Sequence, residues 1–265
     1  MIELCAIASG SNGNCYYVGN TRDAVLVDAG IPARQIMARM KKQKLDASRI
    51  KAIFITHEHS DHALGARVLS RKLHIPVFLT SRTFVGMYPN QKPHSPRFFE
   101  PGEVIEAGNF RIHTFLKNHD AAEPCSFRVE HEGMHVGVFT DIGSPCENVK
   151  MHLEKCHALF LETNYDDTML REGSYPWPLK NRILSDHGHL SNDQAFELLK
   201  NHCGRQLEMI FLSHLSAENN TPEKAFGRFE ELKDKYVIRL TSRHAPSDVF
   251  MLGKHIVQGT LDLKF

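Results

Sequence analysis

Apolar positions in the first part of the chain fall in short runs separated by turn-forming residues. Residues 2–8, 16–18 and 24–27 are such runs, divided by Gly10-Ser11-Asn12-Gly13-Asn14 and Gly19-Asn20, and they predict three short strands. The spacing changes after Pro32, a residue suited to a first helical turn. There Ile36, Met37 and Met40 supply one apolar face and predict a helix. Ala52-Ile53-Phe54-Ile55 has the pattern of a buried strand and runs directly into Thr56-His57-Glu58-His59-Ser60-Asp61-His62. A helix is expected from there to about residue 73, then a strand over 76–79. Residues 98–141 predict a meander with strands over 104–105, 110–115, 127–130 and 136–139 and a turn at Glu132-Gly133. Beyond Asp141, strands at 158–161, 209–212 and 237–241 alternate with helices near 146–155, 192–201 and 222–235. Each half runs from strands to helices. That order is expected of an α/β fold with two sheets inside and helices outside, a four-layer αββα sandwich, here in one domain over residues 1–265.

Composition removes several alternatives. A chain of 265 residues is long enough to bury a sizeable core without disulfide staples. No apolar run approaches the roughly 20 residues of a spanning helix. Met1-Ile2-Glu3-Leu4 carries no basic segment before an apolar stretch, so the expectation is a cytoplasmic protein with no membrane association. The six Cys form no CxxC pair and read as free thiols. Lys plus Arg, 32, nearly balance Asp plus Glu, 31, so the strong basic footprint of many nucleic-acid-binding domains is missing. The count that stands out is 17 His, a residue that ligates metals and shuttles protons near neutral pH.

Four chemistry-bearing residues are concentrated in one place. His57, His59, Asp61 and His62 leave the end of an apolar strand within six residues. Three imidazoles and a carboxylate so close together serve no apolar core. A strand end followed by a tight loop can aim alternate side chains at one point, and imidazole nitrogen with carboxylate oxygen is the ligand chemistry of zinc and related divalent ions.

This T-H-x-H-x-D-H segment resembles the signature of the metallo-β-lactamase superfamily, and the likeness extends over essentially the whole chain. In that family the later ligands come singly from strand ends, which here match His119 in Lys117-Asn118-His119-Asp120, Asp141 in Thr140-Asp141-Ile142-Gly143 and His214 in Leu212-Ser213-His214-Leu215. The resemblance implies two divalent metal ions, Zn, Mn or Fe. His57, His59 and His119 would hold one, Asp61, His62 and His214 the other, and Asp141 would bridge them. Asp28, in Val27-Asp28-Ala29-Gly30, would orient ligands from behind through hydrogen bonds. Asp61 would also position a metal-bridging hydroxide.

Within the superfamily, the true lactamases carry Cys where this chain has Asp141, so antibiotic hydrolysis is not expected. Gly188-His189-Leu190-Ser191-Asn192 looks like the Gly-His segment of ribonuclease Z and the β-CASP nucleases, which glyoxalase II lacks. It implies that His189 serves the leaving oxygen or the scissile phosphate, with Glu162 in Leu161-Glu162-Thr163-Asn164 orienting it. Together with Gly10-Ser11-Asn12-Gly13-Asn14-Cys15, His119-Asp120-Ala121-Ala122-Glu123-Pro124 and Glu162-Thr163-Asn164-Tyr165-Asp166, this segment is similar to the bacterial YycJ/WalJ group. That likeness implies a phosphodiesterase acting on duplex DNA as a 5′ to 3′ exonuclease. The alternative is a thioesterase or small-ester hydrolase of the glyoxalase II type. Substrate contacts are expected from Ser11, Asn12 and Asn14 in the first loop and from Ser191 and Asn192. Further candidates are the basic positions Arg34, Arg39, Lys41, Lys42, Lys44, Arg49, Lys51, Lys180, Arg182 and Arg243, and the aromatic pair Tyr175 and Trp177. His187 is expected to lie behind the site. The remaining histidines, His255 among them, share no motif.

Overall fold

A computed structural model describes residues 1–253. His255 and the end of the expected domain, 254–265, lie outside the described residues. The first sheet is built from β1 (Ile2–Ala8), β2 (Cys15–Gly19), β3 (Ala24–Val27), β4 (Ile50–Phe54), β5 (Val77–Leu79), β6 (Pro96–Phe98) and, from the far end of the chain, β14 (Phe250–Leu252). Its order is β14-β1-β2-β3-β4-β5-β6. The second sheet contains β7 (Val104–Ala107), β8 (Phe110–Leu116), β9 (Cys125–His131), β10 (Met134–Phe139), β11 (Ala158–Glu162), β12 (Met209–Ser213) and β13 (Val237–Leu240), in the order β13-β12-β11-β10-β9-β8-β7.

Both sheets change from antiparallel to parallel pairing partway across. β1, β2 and β3 pair antiparallel, then β3 to β6 run parallel. Likewise β7 to β10 pair antiparallel and β10 to β13 run parallel. Strand composition explains why both faces are covered. β3, β11 and β12, each with a parallel neighbour, are buried along their whole length, as parallel sheets require because their crossover helices cover them.

Three apolar layers result. Between the sheets, Leu4, Tyr16, Val25 and Phe54 of the first interlock with Ile112, Phe127, Phe160 and Phe211 of the second. The Tyr16 and Phe160 rings lie 4.9 Å apart and those of Phe54 and Phe127 5.6 Å apart. Outside the first sheet, α1 (Ala33–Lys42) and α3 (Ala66–Leu73) bury Ile36, Met40 and Leu69. Outside the second, α5 (Glu147–Leu153), α8 (Asn192–His202) and α9 (Pro222–Arg228) bury Val149, Leu153, Phe196 and Leu199. This is the four-layer αββα sandwich.

The expected elements are displaced in a few places. The helix expected over 222–235 stops at Arg228 and resumes as a single 3-10 turn over Glu230–Leu232. Gly227 weakens it, and buried Phe229 turns in against Phe196, with ring centroids 5.6 Å apart. Short α2 (Ser60–Ala63), α4 (Ser81–Gly86) and α6 (Asp167–Glu172), with α7 (Trp177–Leu184), add helical turns that the apolar spacing did not distinguish from loops. All six Cys are free. Among the described residues no helix is long and apolar enough to cross a membrane.

Candidate metal centre

β3 and β4 run parallel in the first sheet, and β8, β10, β11 and β12 share one direction in the second. Their C-terminal ends therefore open on a common edge, where α/β sheets place their ligands. Asp28 follows β3, His57 follows β4, His119 follows β8, Asp141 follows β10, Glu162 ends β11 and His214 follows β12. Three of these residues have left-handed backbones: Asp28 at φ 62°, Asp141 at 55° and His214 at 58°. That region is costly for residues with a Cβ and recurs at functional sites. Here the kink turns each strand end across the edge of the sandwich.

The loop after β4 is fixed from below. Buried Asp28 accepts hydrogen bonds from Thr56 N at 2.8 Å, from Thr56 Oγ1 and from His62 Nδ1 at 2.6 Å. Because the Thr56 hydroxyl donates to Asp28, it accepts from His57 Nδ1 at 2.9 Å. Both imidazoles thereby carry their proton on Nδ1 and turn Nε2 as a lone pair into the centre. Gly30 is required beneath them, since a Cβ there would overlap the carbonyl oxygen of Asp61.

Ligand atoms within 4.8 Å of one another form the groups His57, His59, His119 and Asp61, His62, His214, with Asp141 joining His57 and His62 in another. His57 Nε2 and His59 Nδ1 are 3.0 Å apart. His62 Nε2 faces Asp141 Oδ2 at 3.1 Å. His119 donates Nδ1–H to the carbonyl of Gly188 at 3.1 Å, and His214 donates Nδ1–H to Glu162 at 2.8 Å. Their Nε2 atoms and Asp141 Oδ2 are buried with no hydrogen-bond partner. Buried polar atoms are rarely left unpaired. Several lone pairs turned toward one another repel unless positive charge lies among them. The donor set thus fits two divalent ions, and nitrogen and oxygen donors suit Zn, Mn or Fe alike.

Without metal, protons supply part of that positive charge, and they do so on one side of the centre only. Burial pushes His57 well down, with His62 adding to it. Burial likewise brings His119 down to about 3, Asp141 opposing and Lys117 reinforcing. On the other side, carboxylates outweigh burial. Asp141 and Asp28 hold His62 well above the ordinary imidazole range, and Asp141, Asp61 and Glu162 raise His214 to about 10. Against burial, His62 and His214 in turn keep the Asp61 and Asp141 carboxyls well below theirs. Metal uptake at these nitrogens therefore competes with protons.

Glu162 is fully buried and fully engaged. Its Oε1 accepts from both His189 Nδ1 and His214 Nδ1 at 2.8 Å, and its Oε2 from the backbone N–H of Ile142 and Leu190 at 2.7 and 3.1 Å. Burial opposes its ionisation, but the two imidazoles bring its carboxyl down to about 2. The His189 ring lies 5.3 Å from those of both His119 and His214.

Other contributors escape sequence reading. Ser9 Oγ accepts from His214 N at 2.8 Å and contacts the buried Tyr16 hydroxyl at 2.8 Å, which ties the first hairpin to the last ligand strand. Lys117 is buried with Nζ donating to the carbonyl of Thr140 at 2.7 Å, beside Asp141. The one available signal was a lysine ending an apolar run.

Three expected substrate contacts are corrected. Asn14 is fully buried, its Oδ1 accepting from Gly10 N and its Nδ2 near His62 Nε2 at 3.2 Å, so it braces the metal loop. Ser191 caps α8 through a capping box with Gln194, and buried Asn192 exchanges hydrogen bonds with Asn220 at 2.9 and 3.0 Å. Their polar atoms are engaged inside the protein. Ser11 and Asn12 remain exposed. Many basic candidates are engaged as well: Arg39 on the carbonyls of Ile7 and Arg243, Arg49 on Glu3 at 3.0 Å, and Lys51 on Asp23 at 3.3 Å. His187 is exposed and contributes its carbonyl to Asp120 N at 3.0 Å. Tyr175 packs against the small cluster of Tyr165, Leu170 and Ile183, whereas Trp177 is 63% exposed. Away from the centre, His113, Glu130 and His135 also cluster. Arg111 and His113 donate to Glu130, and Arg128 donates to His135, so that group is satisfied without an ion.

Residues 8–189 match the family described as the metallo-beta-lactamase superfamily. Over 227 residues the chain is 36% identical to the exodeoxyribonuclease YycJ of Bacillus anthracis, covering 84% of this chain and 86% of that protein. It is 35% identical over 227 residues to the exodeoxyribonuclease WalJ of Streptococcus pneumoniae, covering 83% of each. Among solved structures, the metallo-beta-lactamase fold protein YhfI of Bacillus subtilis superposes with a TM-score of 0.71 at 15% identity, over 94% of this chain and all (100%) of that one. Human tRNase Z, short form, superposes with a TM-score of 0.62 at 15% identity, over 94% and 100%. At such identities these two structures speak to the fold.

Proposed function

The chain belongs to the metallo-β-lactamase superfamily, and from that premise we propose that it is a two-metal phosphodiesterase that degrades duplex DNA from the 5′ end. The superfamily fold, with clustered His and Asp side chains able to hold metal, is that of a metal-dependent hydrolase. The finer reading rests on the His189–Glu162 pair: an imidazole held at 2.8 Å by a buried carboxylate, beside the ligand rings of His119 and His214. The two exodeoxyribonucleases that share about a third of its residues support DNA as the substrate.

In this reading Glu162 holds His189 through its Nδ1–H, and the ring, protonated on both nitrogens, turns its Nε2–H to the substrate and delivers that proton to the departing oxygen. Two divalent ions in the centre would supply a water activated near neutral pH and would neutralise charge on the attacked phosphate. Asp61, with its side chain 26% exposed and its Oδ2 3.8 Å from His214 Nε2, orients the attacking water. Asp28 and Thr56 keep His57 and His62 in the ligating tautomer. Purified protein with Mn²⁺ is tested on 5′-labelled duplex DNA and, in parallel, on an S-lactoylglutathione-type thioester. Nucleotide release without thioester turnover supports the proposal. The reverse outcome replaces it with a thioesterase.

A further inference from the structure

Most basic side chains near the centre have donors committed to backbone carbonyls. Lys117 Nζ donates to Thr140, Lys180 Nζ to Arg171 and Arg243 Nη2 to Leu215. Arg182 on α7 is held differently. Its Nε donates to Asp120 Oδ2, while among the described residues neither terminal nitrogen of its guanidinium has a protein partner. The side chain is 52% exposed. It is therefore pinned at the neck with its two-pronged end free.

Asp120 connects this guanidinium to the metal centre. Its other oxygen, Oδ1, stands 3.3 Å from His119 Nε2, the buried lone pair with no hydrogen-bond partner. The Asp120 backbone is fixed in turn, its N–H donating to the carbonyl of His187 at 3.0 Å, in the segment that leads to His189. The order outward from the centre is ligand nitrogen, carboxylate, guanidinium. Without Asp120 a fixed cation this close to two metal ions would be repelled. With Asp120 between them, the pair presents one compensated arm whose positive end faces solvent. Asp61 and Asp141 add to the field that keeps Arg182 charged.

A planar guanidinium fork matches two oxygens of a phosphate, whereas a neutral thioester offers it nothing comparable. Because the Asp120 carboxylate lies between the fork and the metal-facing nitrogens, the fork meets the strand beyond the attacked group. We propose that Arg182 binds the nucleic-acid phosphate adjoining the scissile one and sets the strand in register on the metal centre, with Asp120 as the residue that positions it. This rests on the phosphodiesterase reading above and adds the group that reads the backbone. It makes Arg182 a specificity residue for phosphodiester polymers over small esters, which engage the metals alone.

The test separates binding from turnover. The full-length protein, freed of metal so that nothing is cleaved, is titrated against a fluorescein-labelled duplex DNA and followed by anisotropy across a range of salt. Arg182→Ala is expected to weaken binding about tenfold and to lower the slope of log affinity against log salt by about 1, the signature of one lost phosphate contact. Arg182→Lys, which keeps the charge but not the fork, should fall between. Asp120→Asn, which loosens the arm without removing the guanidinium, should cost less than Arg182→Ala. With Mn²⁺ restored, Arg182→Ala should raise KM for DNA while kcat stays within about twofold and the number of metal ions bound is unchanged. Equal affinity and equal salt slope for wild type and Arg182→Ala overturn the proposal, whatever the turnover. If affinity depends on Arg182 but wild type cleaves no DNA, the exonuclease reading falls and the phosphate contact stands.

Discussion

Glu162 Oε1 accepts the Nδ1–H of His214 at 2.8 Å while the same atom holds His189, so one buried carboxylate orients a candidate ligand and the candidate proton donor together. Its Oε2 is fixed by two backbone N–H groups. In Glu162→Gln those N–H groups would claim the amide oxygen and leave the NH₂ facing both imidazoles. His214 must then shift its proton to Nε2, where it blocks the metal, and His189 loses the carboxylate that balances its charge as the proton donor. We predict that Glu162→Gln lowers metal affinity and DNA turnover by at least about 10–100-fold, measured by metal titration and by nuclease rate on the same preparation. A variant that keeps wild-type metal affinity removes Glu162 from this role.

Asp28→Asn separates charge from shape. Asn tolerates the left-handed backbone that Asp28 adopts, so the fold should survive. His62 Nδ1, however, loses the carboxylate that fixes its tautomer at 2.6 Å. The expected result is metal affinity reduced about 10–100-fold with the metal-free melting temperature changed little, read by calorimetry with and without Mn²⁺.

Gly30→Ala acts through packing. The new Cβ would meet the backbone oxygen of Asp61, which moves only if the whole metal loop moves. We expect a loss of about 1–3 kcal/mol in urea unfolding, and weaker metal binding in the protein that still folds. Unchanged metal affinity in a destabilised variant would mean that the loop accommodates the methyl group elsewhere.

The contiguous candidate ligands were legible because four of them sit in six residues at the end of one strand. His119, Asp141 and His214 needed a family resemblance, since each stands alone after an apolar run. The double duty of Glu162 was not legible: its second partner lies 52 positions away, and sequence spacing carries no information about which strands become neighbours. Ser191 and Asn192 misled for a local reason. Small polar residues before a helix suit a cap as well as a ligand, and the backbone donors of α8 took them. Residues 175–184 hid α7 because their prolines read as loop, although proline also suits a first helical turn. Arg182 lies in that segment.

Acid sensitivity should trace partly to His152, which belongs to none of the candidate metal groups. Its ring stacks on Phe115 with centroids 3.9 Å apart and accepts from Arg128 Nε at 3.1 Å. Burial, reinforced by Arg128, brings it from the ordinary 6.5 to about 3. The folded pKa is below the unfolded one, so the unfolded chain takes up the extra proton. Stability is therefore lost as pH falls from about 6.5 toward 3. His152→Gln, which does not titrate there, should give a flatter stability profile across that window than wild type, measured by urea unfolding. Parallel profiles would assign the acid loss to other groups.

The most direct test of the central claim follows mononucleotide release from a 5′-labelled DNA duplex in Mn²⁺, comparing wild type with Asp141→Ala. A two-metal exonuclease should show steady release from the 5′ end by wild type and release at background by the variant, because Asp141 groups with His57 and His62, one candidate ligand from each metal set. Release by wild type no faster than by Asp141→Ala would contradict it.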